Sequence, residues 1–314
     1  MKISLIVLSM VAILGGLTWY LLPKPEGDEL ALIMTMHHPA LESVRQGFID
    51  HIRAHKPDIR VRDFNAEGSL QAANIIASQV GAQSSIVGAL SIGTLTSQAL
   101  AKTELKKPVV IAAVTDPNVI TPRSNFAGMT DNIDARYQID TILSLMPDIK
   151  SISLLYSPHE ANSASMVEKL AKEARARTLS VRLVGVNEAQ HIMSSSLLAC
   201  KSDAVLIPLD NQLVSAMASV IKATKTLSCP IITSNDSPLK DGASIAFGVD
   251  YYQSGQEAAK IMLRIIDDYQ APKDIGFINP SKVGVYVNAR VIREKGLTLD
   301  PDGLKRAAVI NGDL

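Results

Sequence analysis

The stretch SIVGALSIGTLTSQALAKTELKKPVVIAAVTDP, residues 85–117, decides the fold class. Two short apolar runs, 85–90 and 108–114, flank a segment, 94–103, that reads as a helix. Each run is too short for a helix and is apolar throughout rather than alternating, the pattern of a strand buried on both faces. Ser91, Ile92, Gly93 and Thr94 follow the first run, and Thr115, Asp116 and Pro117 follow the second. Hydroxyl and carboxylate side chains at such points suit helix starts, and proline suits a first helical turn. Strand, crossover helix and strand make a βαβ unit, so the sheet they build is parallel.

The same alternation extends in both directions. Upstream, 29–36 and 59–64 read as strands, with helices over 41–55 and 69–80. Downstream come a short extended piece at 126–129 and a helix over 135–146. The rhythm then restarts, with strands over 151–156, 180–186, 203–208, 230–233, 243–248 and 282–287. Helices fall over 161–176, 189–198, 212–226 and 252–269. One sheet of so many strands would be unusual, and 314 residues exceed an ordinary single core. The expectation is an α/β clamshell of two lobes, each a mainly parallel sheet flanked by helices. One lobe takes 29–128 plus 250–278 and the other 129–249 plus 279–314, with crossings near 125–131, 248–252 and 277–280.

Residues 3–22 carry no charge and stand between Lys2 and the linker PKPEGDE at 23–29. At about 1.5 Å per residue such a run spans about 30 Å, the thickness of a bilayer's hydrocarbon core. A cleavable signal would have a shorter apolar core and small residues at the cut, whereas Gly15 and Gly16 lie inside this run. No cysteine is near it, which excludes a lipoprotein anchor. Residues 1–28 therefore read as an uncleaved signal anchor and linker, in preference to a cleaved signal peptide. The body is expected in the cell envelope, on the periplasmic or extracellular face of the cytoplasmic membrane.

Basic and acidic residues balance at 31 each, so no overall field attracts nucleic acid. The one tryptophan, Trp19, lies in the apolar run, which counts against a site that stacks sugar rings. Cys200 and Cys229 form no CxxC pair, so a zinc ribbon or redox motif is not indicated; in an exported protein they can join. His51 and His55 are four apart on a predicted helix with no third ligand in register, and read as a solvated face. No GxSxG elbow, P-loop, GxGxxG or HExxH stands at a strand end. No catalytic set, metal site or cofactor is expected.

Ligands of open α/β sheets sit beyond the carboxyl ends of strands, where loops enter helices. Those positions supply eight candidate ligand-binding residues: His38, Ser91, Thr94, Thr115, Asp116, Glu160, Asp210 and Asp236. Each could equally be a helix cap. Their convergence from two lobes favours a ligand cleft. Thr94 and Thr115, with the free N–H groups of helix starts, suit a carboxylate, and Asp210 or Asp236 from the other lobe suits an ammonium.

Several of these loops resemble one family. His38-Pro39-Ala40-Leu41 leading to Gly47-Phe48, then Gly93-Thr94 with Gln98-Ala99-Leu100 and Val114-Thr115-Asp116-Pro117, are similar to the ABC transporter substrate-binding family. Gly128-Met129-Thr130-Asp131, Tyr156-Ser157-Pro158-His159-Glu160, Pro208-Leu209-Asp210-Asn211 and Gly248-Val249-Asp250-Tyr251-Tyr252 follow in the family's order. Leu95 departs from the family's usual proline. The resemblance implies a type I periplasmic-binding-protein fold that grips an amino-acid-like ligand, aromatic amino acids among them. It also implies an ABC permease and ATPase as partners. The same clamshell would serve the alternative, a membrane-anchored sensing ectodomain.

Overall fold

The computed structural model describes residues 28–103, 105–120, 124–280 and 282–314. The expected membrane segment, 3–22, lies outside them. Among the described residues no helix is long and apolar enough to cross a membrane.

The first half runs β1 (Glu29–Met34), α1 (Pro39–His55), β2 (Arg60–Asn65), α2 (Leu70–Ala82), β3 (Ile86–Ile92), α3 (Thr94–Lys102), β4 (Val109–Val114) and β5 (Phe126–Thr130). The second runs α4 (Ala135–Leu145), β6 (Ser151–Tyr156), α5 (Ala161–Ala176), β7 (Ser180–Gly185), α6 (Ile192–Ala199), β8 (Ala204–Ile207), α7 (Asn211–Ser215), α8 (Met217–Thr224), β9 (Ile231–Thr233) and β10 (Ile245–Gly248). The chain then returns through α9 (Tyr251–Ile266), α10 (Pro272–Ile275) and β11 (Phe277–Ile278), and ends with β12 (Gly284–Asn288), α11 (Ala289–Glu294), α12 (Pro301–Leu304) and β13 (Ala308–Ile310).

Two sheets result. The order in the first is β11-β5-β4-β3-β1-β2, parallel throughout. The second is β13-β12-β10-β9-β8-β6-β7, parallel except where β12 runs against β10. Apolar runs became the inner strands: β1, β4 and β8 are buried along their whole length. β2 and β7 lie at sheet edges and carry Arg60, Arg62, Asp63 and Arg182, charges that discourage a stray strand from pairing there. The chain passes between sheets after Thr130, after Gly248 and after Ile278. β5 thus keeps Met129 and Thr130 in the first sheet, two residues beyond the expected boundary at 128.

α9 returns to the first sheet and packs along α1. A Cβ at Gly47 would lie 2.1 Å from the Tyr252 carbonyl oxygen, and one at Gly255 would lie 2.1 Å from that of Val44. The two backbones touch at these glycines, which fixes α1, and the residues leading into it, against the second interlobe crossing.

Three features differ from the sequence reading. The helix expected over 212–226 is two helices, interrupted at Ala216, where ψ is 18° and no breaker residue stands. The short strands β11 and β13, at the ends of their sheets, were not anticipated. Helices α10, α11 and α12 were also not anticipated.

Cys200 ends α6 and Cys229 precedes β9, so both lie at the amino-terminal edge of the second sheet. They form a disulfide with Cα atoms 5.5 Å apart, inside the normal range. Closing a loop of 29 residues should stabilise the fold by about 3–4 kcal/mol. Urea titrations with and without reductant are expected to show a loss of that size; coincident curves would show that the link contributes nothing.

Candidate functional site

The carboxyl ends of both sheets face one another across a closed interface. β4 reaches it through an irregularity: its pairing with β5 shifts register between Ile111 and Val114, and Ala113 takes φ 52°. A β-bulge of this kind re-aims the residues beyond it, and a non-glycine residue at positive φ is held there by its surroundings. Beyond it, Thr115 turns inward and Asp116 outward along the lobe interface. From β3, Gly93 starts α3, and beneath it Ser91 hydrogen-bonds Thr96 and Ser97 at 3.0 and 2.8 Å. That buried hydroxyl set fixes the first turn of α3 from below.

A cavity of about 20 Å³ lies between the lobes, bounded by His38, Thr94, Ala113, Thr115 and Asp131 on one side. Asn162, Leu209, Asp210, Asn211 and Asn235 close the other, and Tyr251 completes it. That volume accepts about one water, so anything larger enters only when the lobes separate. A wider groove of about 710 Å³ lies at the opposite end of the first sheet, between Asp28, Ile59, Pro108 and Tyr269. It is open and lies away from the strand ends that carry helix starts, so the small interlobe cavity is the better candidate.

The polar groups of the cavity divide by lobe. From the first lobe, α1 and α3 begin at His38 and Gly93 without any side-chain cap, and Leu41 and Thr94, in their first turns, line the cavity near the positive dipole ends. The opposing lobe's helix start is already occupied. Asp210 accepts from Ser157 N–H and Oγ, Ser163 Oγ and Leu213 N–H, at 2.6–2.9 Å. Glu160 accepts from Asn211 N–H, Asn211 Nδ2 and Gln212 N–H. Burial, with the Asp210 carboxylate beside it, pushes the Glu160 carboxyl up to about 7, and burial raises Asp210 as well.

Asp131, at the start of the first crossing, lines the cavity and was not among the eight sequence candidates. It is 5% exposed, its Oδ2 accepts from Tyr251 Oη at 3.1 Å, and its Oδ1 has no partner. Burial pushes its carboxyl up to about 6, although the nearby hydroxyls of Thr115 and Tyr251 favour the ionised form. The second orphan on the cavity wall is His38 Nδ1, on a ring 7% exposed. An unmet buried polar atom is costly, and two on residues that line one cavity mark it as a candidate ligand position.

The eight candidates therefore divide. His38, Thr94, Thr115 and Asp210 line the cavity; Ser91 lies beneath it; Glu160 holds α7 in place. Asp236 stands outside the lining, where burial and the Asp250 carboxylate raise its pKa. Asp116 bridges the lobes instead, through Ser165 Oγ at 2.9 Å and the Lys169 ammonium, both on α5. Burial works against its charge, but bonds from Lys169, Asn118 N–H and Ser165 outweigh it and hold the carboxyl low. Asp131, Asn162, Asn211, Asn235 and Tyr251 also line the cavity, though none stood among the eight candidates.

Because the Asp116–Lys169 contact joins the two lobes as they stand closed here, Lys169→Met is expected to weaken ligand binding about threefold to tenfold without touching the ligand. The lysine is half exposed, which keeps the effect modest and salt-sensitive. Calorimetry at two salt concentrations checks this; an unchanged Kd at low salt would deny the bridge a part in closure.

The family model for ABC transporter substrate binding proteins matches residues 29–310. The chain belongs to that family. A relative named tyrosine-binding protein, from Clostridioides difficile (strain R20291), is 26% identical over 251 residues, covering 76% of this chain and 72% of its own. Among solved structures, a conserved domain protein of Vibrio cholerae matches with TM-score 0.83 and 26% identity, over 90% of this chain and 99% of that one. An ABC domain of Streptococcus pneumoniae solved in complex with L-Trp matches with TM-score 0.83 and 24% identity, over the same shares. The fold is thus the type I periplasmic-binding-protein clamshell. ABC substrate-binding proteins of this family are extracytoplasmic, and substrate binding is not an enzymatic activity.

Proposed function

We propose that this substrate-binding protein takes a zwitterionic amino acid between its two lobes and delivers it to an ABC permease and its ATPase. Residues 3–22 would hold the protein to the cytoplasmic membrane. The two sheets with their helices would move as lobes about the three crossings, and the ligand, touching both, would favour closure. The observation that carries this reading is the buried Asp131 carboxylate, its Oδ1 unpartnered, on the same cavity wall as the uncapped starts of α1 and α3. A carboxylate suits the helix starts with Thr94 and Thr115, and an ammonium suits Asp131. The names of the tyrosine-binding relative and the L-Trp complex support the same ligand class.

A thermal-shift screen of the L-amino acids tests it. One or a few should raise the melting temperature by several degrees, as occupancy at a hundredfold excess over Kd adds about 2.7 kcal/mol. Stabilisation by sugars or nucleotides and by no amino acid would remove the proposal.

A further inference from the structure

The orphan atom of His38 has a definite chemical character, set by residues on the other lobe. Glu160 receives three N–H groups: the backbone amides of Asn211 and Gln212 at 3.0 and 2.7 Å, and Asn211 Nδ2 at 2.9 Å. With its amide nitrogen turned to Glu160, Asn211 offers its Oδ1 to the cavity side, and His38 Nε2 stands 2.9 Å from it. A carbonyl oxygen can only accept, so Nε2 carries the hydrogen. On a neutral ring the other nitrogen, Nδ1, then holds a lone pair. Burial keeps the ring neutral, against smaller opposing effects of the Asn211 bond and the Glu42 carboxylate.

Both orphan atoms on the cavity wall are therefore acceptors, His38 Nδ1 and Asp131 Oδ1. We infer that the ligand brings two hydrogen-bond donors into the cleft, its ammonium to Asp131 and a further N–H or O–H to His38 Nδ1, so that His38 selects amino acids with a donor-bearing side chain. This rests on the amino-acid reading above and narrows it. A ligand lacking the second donor would leave Nδ1 buried and unmet, and sites built for a hydroxyl or amine reject such analogues far more strongly than sites that discriminate by size. The His38–Asn211 bond spans the lobes, so it is the approach of the second lobe that fixes the ring's orientation.

The experiment is calorimetric titration of the full chain in detergent with near-isosteric pairs that differ in one donor: L-tyrosine and L-phenylalanine, L-threonine and L-valine, L-asparagine and L-leucine, L-serine and L-alanine. In the pair that fits the cleft, the donor-bearing member should bind at least about a hundredfold tighter. In His38→Leu the two members should come within about threefold. Asn211→Leu, which frees the imidazole from its fixed orientation, should also lower the ratio, with thermal melts confirming that each variant is folded. Equal or tighter binding of the donor-less member overturns the inference while leaving the amino-acid reading standing, as does a ratio unchanged in both folded variants. Should neither variant fold, the wild-type ratio decides alone. Binding of no amino acid overturns both.

Discussion

Asp131→Asn should abolish tight ligand binding and, at neutral pH, make the ligand-free protein more stable. The two effects share one cause. A carboxylate 5% exposed with one oxygen unmet is carried at a cost: burial moves its pKa from 3.8 to about 6, equivalent to about 3 kcal/mol against the ionised form. A group whose folded pKa lies above its unfolded one contributes full stability below the unfolded value and loses it as pH rises through the folded value. Ligand-free protein should accordingly weaken between about pH 4 and pH 7 through this carboxyl, and Glu160, pushed up to about 7, acts in the same direction. Asparagine removes the Asp131 share and should raise stability at pH 7 by about 1–3 kcal/mol. It also removes the partner of the ligand's ammonium, a loss of about two to three decades in affinity. Urea melts at pH 5 and pH 7, with calorimetry on the same variant, read both; a variant that binds normally would dismiss Asp131 as the cation site.

Asp210→Ala is expected to fail differently, by unfolding its lobe rather than by emptying the site. Its carboxylate gathers four donors from the β6–α5 loop, α5 and α7, all in the second lobe. Removing it strands Ser157 N–H, Leu213 N–H and two hydroxyls in a buried setting, at about 3–5 kcal/mol in total. That is a large share of a typical domain's stability. Asp210→Asn should cost less, since an amide oxygen still accepts from one or two of those donors. A folded Asp210→Ala protein of parental stability that has lost only ligand affinity would return this residue to the ammonium contact.

The fold was legible because its signal is repeated. β1, β3, β4, β6 and β8 are apolar runs closed by hydroxyl or carboxylate residues, and a parallel sheet buried on both faces demands that composition. β11 and β13 were invisible: only two and three residues pair at the ends of their sheets, too few for a strand pattern, with mostly exposed side chains. The site was legible in position but not in role. Strand-end reasoning reached His38, Thr94, Thr115 and Asp210, which do line the cavity. It could not show that four donors from Asp210's own lobe already surround it, or that Asp116 looks across the interface to α5. Asp131 stood in a quoted motif but was not taken as a candidate; the hydroxyl it bonds belongs to Tyr251, 120 residues away, and only the folded chain buries the two together.

The central claim, a zwitterion held with its ammonium at Asp131 and its carboxylate at the starts of α1 and α3, is tested most directly by one calorimetric comparison. The best-stabilising L-amino acid from the screen is titrated beside its N-acetyl and its carboxamide derivatives. The free amino acid should bind one to one, and each blocked form should bind at least about a hundredfold more weakly, since each leaves one buried charge or helix start unanswered. Equal affinity for the parent and either blocked derivative would contradict the account.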